Sequence, residues 1–272
     1  MKSKSDLARL LENKRFPLSA KYDPEWVMKC EMGPNALWLT ELLAERMSFK
    51  PGMRVLDMGC GRAMTSIFLA KEFGVQVWAN DLWIPAGENW QRIREAGVDD
   101  RVFPIHADAH SLPYAEEFFD AVLSMDSYQY YGTDDLYFSY FVKLVKRGGR
   151  IGIVVPGITR KFNGPGPAHL GSYRACFDFH TADWWCRHWK RTGLVEIETA
   201  EAVPGGGRLW CQWEEAQYAA RIRKRDDTDV KVFRADKGKN LGFVRLVGRR
   251  VMTDPGRCQG QRMADFVGPV WT

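Results

Sequence analysis

Between Met53 and Gly157 the chain repeats one alternation. Short apolar runs, "MRVLDMG", "VQVWAND", "VFPIHAD", "FDAVLSMD" and "RIGIVVPG", are spaced by the helix-patterned stretches "MTSIFLAKEFG", "AGENWQRIREAG" and "TDDLYFSYFVKLV". Runs of that length without polar alternation suit strands buried on both faces. Strands joined through helices run parallel, and right-handed crossovers place the helices on both faces of the sheet. This half of the chain is therefore read as a doubly wound α/β unit, with "KRGG" (Lys146–Gly149) as a turn before its fifth strand.

On either side the rhythm differs. Residues Asp23 to Met47 are predicted helical, with Asp23 as N-cap, Pro24 at the first helical position and a break at Gly33-Pro34. After Pro156 a Gly, Pro and aromatic-rich stretch is too long for an ordinary connection, so residues 157–180 are expected to be a substrate loop or a structural cover. "TADWWCRHWKRTG" is predicted to be a helix capped by Thr181, followed by a strand in "LVEIETAEAV", a helix from about Trp210 and a last strand in "LGFVRLVGRRV". The reading divides the chain into a helical cap (1–48), a main domain (49–252) and a poorly ordered tail (253–272).

Charge narrows the partners. The net charge of +5 is a small difference between 39 basic and 34 acidic residues, and the densest basic stretch, Arg221 to Lys231, interleaves its own acids. Phosphate tracking wants unopposed cations beside stacking aromatics, so no nucleic-acid partner is expected. No window is apolar enough to span a membrane, and the first residues lack a secretory apolar core, so the expected address is cytoplasmic without a membrane partner. The six cysteines form no CxxC pair, and the histidines show no metal-ligand spacing.

The chemistry concentrates in "VLDMGCGRAMTSIFLAKEFGVQVWAND". Gly59 and Gly61 let a ligand approach the backbone at the carboxyl end of the first strand, where open α/β sheets place their crevice. Asp81, twenty positions after Gly61 and ending the second strand, is placed to accept from ribose hydroxyls. Asp57 precedes the glycines. A carboxylate there repels a pyrophosphate and suits a ligand carrying a sulfonium or ammonium centre, which argues against a dinucleotide.

With "ANDLW", "HADAHSLPY", "FDAVLSMD" and "KRGGRIGI" following in order, the segment from Val55 to Val155 resembles the class I S-adenosylmethionine-dependent methyltransferases. The resemblance implies a Rossmann-like sheet of seven strands with helices on both faces, the last strand antiparallel, under an N-terminal helical cap. It also implies S-adenosylmethionine as cofactor. Asp57, Gly59 and Gly61 would surround its methionine portion, Asp81 its ribose, and Leu82 its adenine. Asp108 would accept from the adenine amine, with the Ala109 amide beside it. Ala63 stands where the family often has a third glycine.

In-line methyl transfer needs positioning and water exclusion more than a strong base, although a protonated nucleophile must lose its proton. "SMDSYQYYG" follows the fourth strand at the sheet's binding end, which makes Asp126 and Tyr130 the catalytic candidates and Tyr128 a substrate contact. The segment is similar to that of amine N-methyltransferases, except that Tyr130 stands where those have histidine. Tyr22 is placed where such enzymes close a tyrosine over the cofactor. The expected reaction is methylation of a small-molecule acceptor, with an amine ahead of O- or C-methylation of an aromatic metabolite. A soft acceptor held by Cys60, Cys176 and Cys186, and a cofactor-binding protein without turnover, are the other readings. Trp184, Trp185, Trp189, Trp210 and Trp213 could form an aromatic cage, but helical spacing favours a core stripe. His169 and His180 are further loop candidates.

Overall fold

The computed structural model describes residues 4–164, 166–171, 178–222 and 228–253. Three helices come first: α1 (Lys4–Leu11), α2 (Pro24–Lys29) and α3 (Ala36–Met47). The Asp23 carboxylate accepts from the Glu25 and Trp26 amides, which starts α2, and Asn35 caps α3 through the Trp38 amide. Between them the chain breaks at Gly33-Pro34, as the sequence predicts.

Seven strands follow: β1 (Arg54–Met58), β2 (Gln76–Asp81), β3 (Val102–His106), β4 (Phe119–Met125), β5 (Val145–Ile158), β6 (Val195–Ala202) and β7 (Leu241–Arg250). They form one sheet in the order β3-β2-β1-β4-β5-β7-β6, and β7 runs antiparallel between β5 and β6. The helices between them are α4 (Met64–Phe73), α5 (Ala86–Glu95), α6 (Tyr137–Phe141), α7 (Ala168–Gly171), α8 (Ala182–Lys190), α9 (Gly206–Ala219) and α10 (Thr228–Asp236).

Strand alternation sorts the core into two layers. Val55, Ala121 and Val154 face a layer with Leu42, Ile67, Phe68 and Trp213 from α3, α4 and α9. Leu56, Val122 and Ile153 face Phe138, Phe141, Trp185 and Trp189 from α6 and α8. The cap is bound to the sheet by a buried cation: Arg245 of β7 pairs with Glu45 of α3 at 2.8 Å, donates to the Leu42 carbonyl and pairs with Glu201 of β6. The Glu41 carboxylate accepts from the Leu18 and Ser19 amides, holding the first segment against α3.

Several boundaries differ from expectation. "TDDLYFSYFVKLV" is helical only over α6 and a following 3₁₀ turn, because the Asp134 side chain accepts from the Leu136 and Tyr137 amides and delays the helix. "KRGG" lies inside β5 with a register shift against β4, and α9 starts at Gly206 rather than near Trp210. In the expected loop, β5 extends to Ile158 and α7 is ordered, while residues 165 and 172–177 lie outside the described residues. Much of Arg221–Lys231 and nearly all of the tail also lie outside them. Among the described residues no helix is long and apolar enough to cross a membrane.

Candidate cofactor and acceptor site

β1 ends in a turn that the neighbouring strand pins down: the Gly59 and Cys60 amides both donate to the Asn80 carbonyl of β2, at 2.9 and 3.0 Å. Gly59 and Gly61 take positive φ, +75° and +54°, which disfavours any side chain there. Space forbids one as well, since a β-carbon on Gly59 would overlap the Ser127 hydroxyl and one on Gly61 would lie 3.0 Å from Met32 Sδ. Ala63 also has positive φ, +58°, but is fully buried and lies outside the cleft lining, so its methyl packs under α4.

Above this turn opens a cleft of about 270 Å³. Its floor is the glycine turn with Met58 and Thr65. One wall carries Asp81, Leu82, Trp83, Asp108 and Ala109; the other carries Asp126, Ser127, Tyr130 and Tyr131 with the cap segment Cys30 to Pro34. All the expected cofactor residues but one line it.

The exception is Asp57. It points the way Val55 does, into the α4 layer, where its Oδ2 accepts from the Thr65 and Ser66 hydroxyls and its Oδ1 is buried without a partner. It therefore supports the first turn of α4 from beneath and does not line the cleft, a correction to the expected contact with methionine. Burial pushes its pKa up to about 6 from the ordinary 3.8. The folded protein thus binds this proton more tightly than the unfolded chain, so the associated stability is present in acid and lost as pH rises through about 6. Asp57→Asn is expected to gain on the wild type by about 3 kcal/mol across that window. Denaturant melts from pH 4 to 7.5 check this; an unchanging difference would show that the carboxyl titrates normally.

Backbone amides fix the Asp81 side chain in place: Oδ2 accepts from the Gly61 amide at 2.7 Å, and Oδ1 from the Trp83 and Ile84 amides at 2.8 and 2.9 Å. A carboxylate offers about four acceptor positions, so one remains, on Oδ2. At the far end Asp108 Oδ1 accepts from the His110 amide at 2.8 Å, which holds its pKa below the usual range, and His110 Nδ1 lies 2.9 Å away. His110 lines the cleft and was missed in the sequence, where no spacing distinguishes it.

On the wall facing Asp81, Asp126 sits just past β4 with φ +49°. Its Oδ1 accepts from Gln129 Nε2 at 3.2 Å, and burial pushes its pKa up to about 7. The opposing wall touches it directly, because a β-carbon on Gly33 would overlap Asp126 Oδ2. That wall is anchored on two sides: Arg62 Nη1 donates to the Lys29 and Glu31 carbonyls at 2.9 Å, and Trp213 Nε1 donates to the Gly33 carbonyl at 2.6 Å. Gly33→Ala is therefore expected to turn Asp126 away from Gln129, lowering kcat about tenfold with cofactor affinity within about twofold, alongside an overpacking cost of about 1–3 kcal/mol. Steady-state kinetics beside a cofactor titration separate the two; an unchanged kcat would mean that the wall yields freely.

Two expected tyrosine positions are corrected. Tyr128 is fully buried among Tyr131, Tyr137, Phe141, Trp185 and Trp189, so it is core and not a substrate contact. Tyr131 reaches the cleft in its place, its hydroxyl 3.1 Å from Ser124 Oγ and 3.2 Å from Ser127 Oγ. Tyr22 lies outside the cleft, stacked on Trp26 with its hydroxyl donating to Glu72 at 3.3 Å; the Cys30 to Pro34 segment supplies the wall instead. Tyr130 does line the mouth, its ring 6.0 Å from Trp83.

The five tryptophans are not a cage. Trp185, Trp189, Trp210 and Trp213 are buried, and Trp184 stacks between His180 and His188. His169 meets Asp236 at 3.0 Å, and neither it nor His180 lines the cleft. Of the cysteines proposed for a soft acceptor, Cys60 lines the cleft, Cys186 does not, and Cys176 lies outside the described residues.

A family model described as a methyltransferase domain matches residues 55–149. The methyltransferase GfsG of Streptomyces halstedii is 32% identical over 120 residues, 42% of either chain, so the match spans less than half of that relative. Among solved structures, the [4+2]-cyclase SpnF superposes with a TM-score of 0.64 at 23% identity, covering 79% of this chain and 80% of that one. Phosphoethanolamine N-methyltransferase 2 of Haemonchus contortus superposes with a TM-score of 0.66 at 19% identity, covering 90% of this chain and 60% of that one. Relatives include N-, O- and C-methyltransferases. With the motifs in order, the strand sequence and the glycine-floored cleft, residues 55–149 match a methyltransferase domain, and the chain shares the fold of S-adenosylmethionine-dependent methyltransferases.

Proposed function

We propose that the protein transfers a methyl group from S-adenosylmethionine to a small-molecule acceptor, and that the acceptor atom is an amine nitrogen. The residues present fit the cofactor. A nucleoside can lie on the side-chain-free floor at Gly59 and Gly61, with its ribose at Asp81 Oδ2, its adenine against Leu82 and its amine toward Asp108 and the Ala109 amide. When bound, the cofactor supplies a methyl group on a sulfonium sulfur, and the electrons of the broken carbon–sulfur bond stay on sulfur. The carboxylates of the wall suit that positive centre.

The observation that carries the amine is Asp126. A carboxyl titrating near 7 at the acceptor end holds an ammonium when ionised and can take the proton that nitrogen must lose. Tyr130, at the mouth, and the Tyr131 hydroxyl with Ser127 orient the acceptor beside it. A second reading, a cofactor-binding protein with other chemistry, is favoured by one observation: a [4+2]-cyclase shares the fold.

Calorimetric titration with S-adenosylmethionine followed by a metabolite screen with methyl-labelled cofactor decides between them. Binding together with labelled amine and release of S-adenosylhomocysteine is the expected result. Binding with no turnover on any acceptor favours the second reading.

A further inference from the structure

Large apolar side chains are unevenly spread over this surface. Among the described residues eight are exposed, and four of them line this cleft: Met32, Leu82, Trp83 and Tyr130. Trp83 and Tyr130 are 68% and 60% exposed, and their tilted rings face each other across the mouth. Trp83 immediately follows Leu82 and Tyr130 closes the turn after β4, so the pair joins the nucleoside wall to the acceptor wall. A small hydrophilic acceptor such as an amino acid would leave both rings in water. A ring-bearing or otherwise bulky apolar body would cover them.

The charges of the cleft point the same way. Its described lining holds three carboxylates, Asp81, Asp108 and Asp126, against one guanidinium, Arg62, which turns to the Lys29 and Glu31 carbonyls. Phosphate recognition calls for arginine or lysine donors or amides aimed at the ligand, and here the Gly61, Trp83 and Ile84 amides are already given to Asp81. A phosphorylated acceptor would bring like charge to an acidic wall.

We infer that the acceptor is an amine on an apolar, ring-sized body without a phosphate, its nitrogen at Asp126 and its body against Trp83 and Tyr130. This rests on the methyltransferase reading above.

The test uses the full chain with three acceptors: an arylalkylamine, ethanolamine and phosphoethanolamine. The arylalkylamine should show kcat/KM at least about tenfold above ethanolamine, and phosphoethanolamine should be the poorest. Trp83→Ala should raise KM for the arylalkylamine about tenfold with kcat within about twofold, and Trp83→Phe should restore it. Cofactor affinity, measured separately by calorimetry, should move less than about threefold in either variant. Equal or better turnover of phosphoethanolamine overturns the inference, as does cofactor binding without methylation of either unphosphorylated amine. A loss of cofactor affinity in Trp83→Ala that matches the loss in KM also overturns it, by assigning the ring to the nucleoside. Failure of the wild type to bind S-adenosylmethionine is a different result, since it removes the methyltransferase reading itself.

Discussion

Asp81→Ala is expected to lower affinity for S-adenosylmethionine by at least about a hundredfold, and to destabilise the fold by about 3 kcal/mol in the same protein. Both effects come from one carboxylate. It accepts from the Gly61, Trp83 and Ile84 amides, which shapes the glycine turn and the start of the loop after β2 together. Removing it leaves three backbone donors to water or to nothing, and hydrogen bonds to a charged group are worth about 1.5–3 kcal/mol each. The remaining acceptor position on Oδ2 is the one available to a ribose hydroxyl. Asp81→Asn keeps one oxygen, so it should retain more stability than affinity. Calorimetry well below the melting temperature separates absent binding from absent fold, and an Asp81→Ala protein that binds within threefold of wild type would sink the ribose assignment.

The second large effect is at Asp126, where asparagine is the informative replacement. The residue has φ +49°, a conformation that asparagine adopts more readily than alanine, so Asp126→Asn removes the charge without adding backbone strain. The expected loss in kcat is about 10²–10⁴-fold with cofactor affinity unchanged, the range for removing a positioned proton acceptor. The wild-type rate should rise with pH through about 7, because the carboxyl accepts a proton only when ionised and burial holds its pKa there. In Asp126→Asn that limb should vanish and leave a low rate without it. A limb that persists would assign the titration to another group, such as the acceptor's own ammonium.

The fold was legible where local chemistry and period agree. Apolar strand runs, helix spacing, the positive-φ glycines and the acid closing β2 all name the same architecture, and the antiparallel β7 follows from the family resemblance. Side-chain direction at the site was less legible. Strand period alone would have sent Asp57 the same way as Val55, under α4, but its place beside the glycines suggested ligand contact. In "YQYY" the 3₁₀ turn from Tyr128 to Tyr130 decides which ring goes inward, and nothing in the letters distinguishes Tyr128 from Tyr131. The Cys30 to Pro34 wall has no periodicity at all. Only the Gly33-Pro34 break marked it, and its role depends on contacts with residues distant in sequence: Arg62, Asp126 and Trp213.

That wall bears on how far the protein could be trimmed. A version beginning at the first strand would still encode every strand and the nucleoside shelf, yet it would have lost both the α3 layer of the core and the side of the chamber that leans on the acidic group. The reacting centre would then stand open to bulk solvent, and the attacking group would have to shed its hydration unaided. Under the proposed function the leading helices belong to the reaction vessel as much as the sheet does, and a shortened protein that still held its nucleoside should be a poor catalyst.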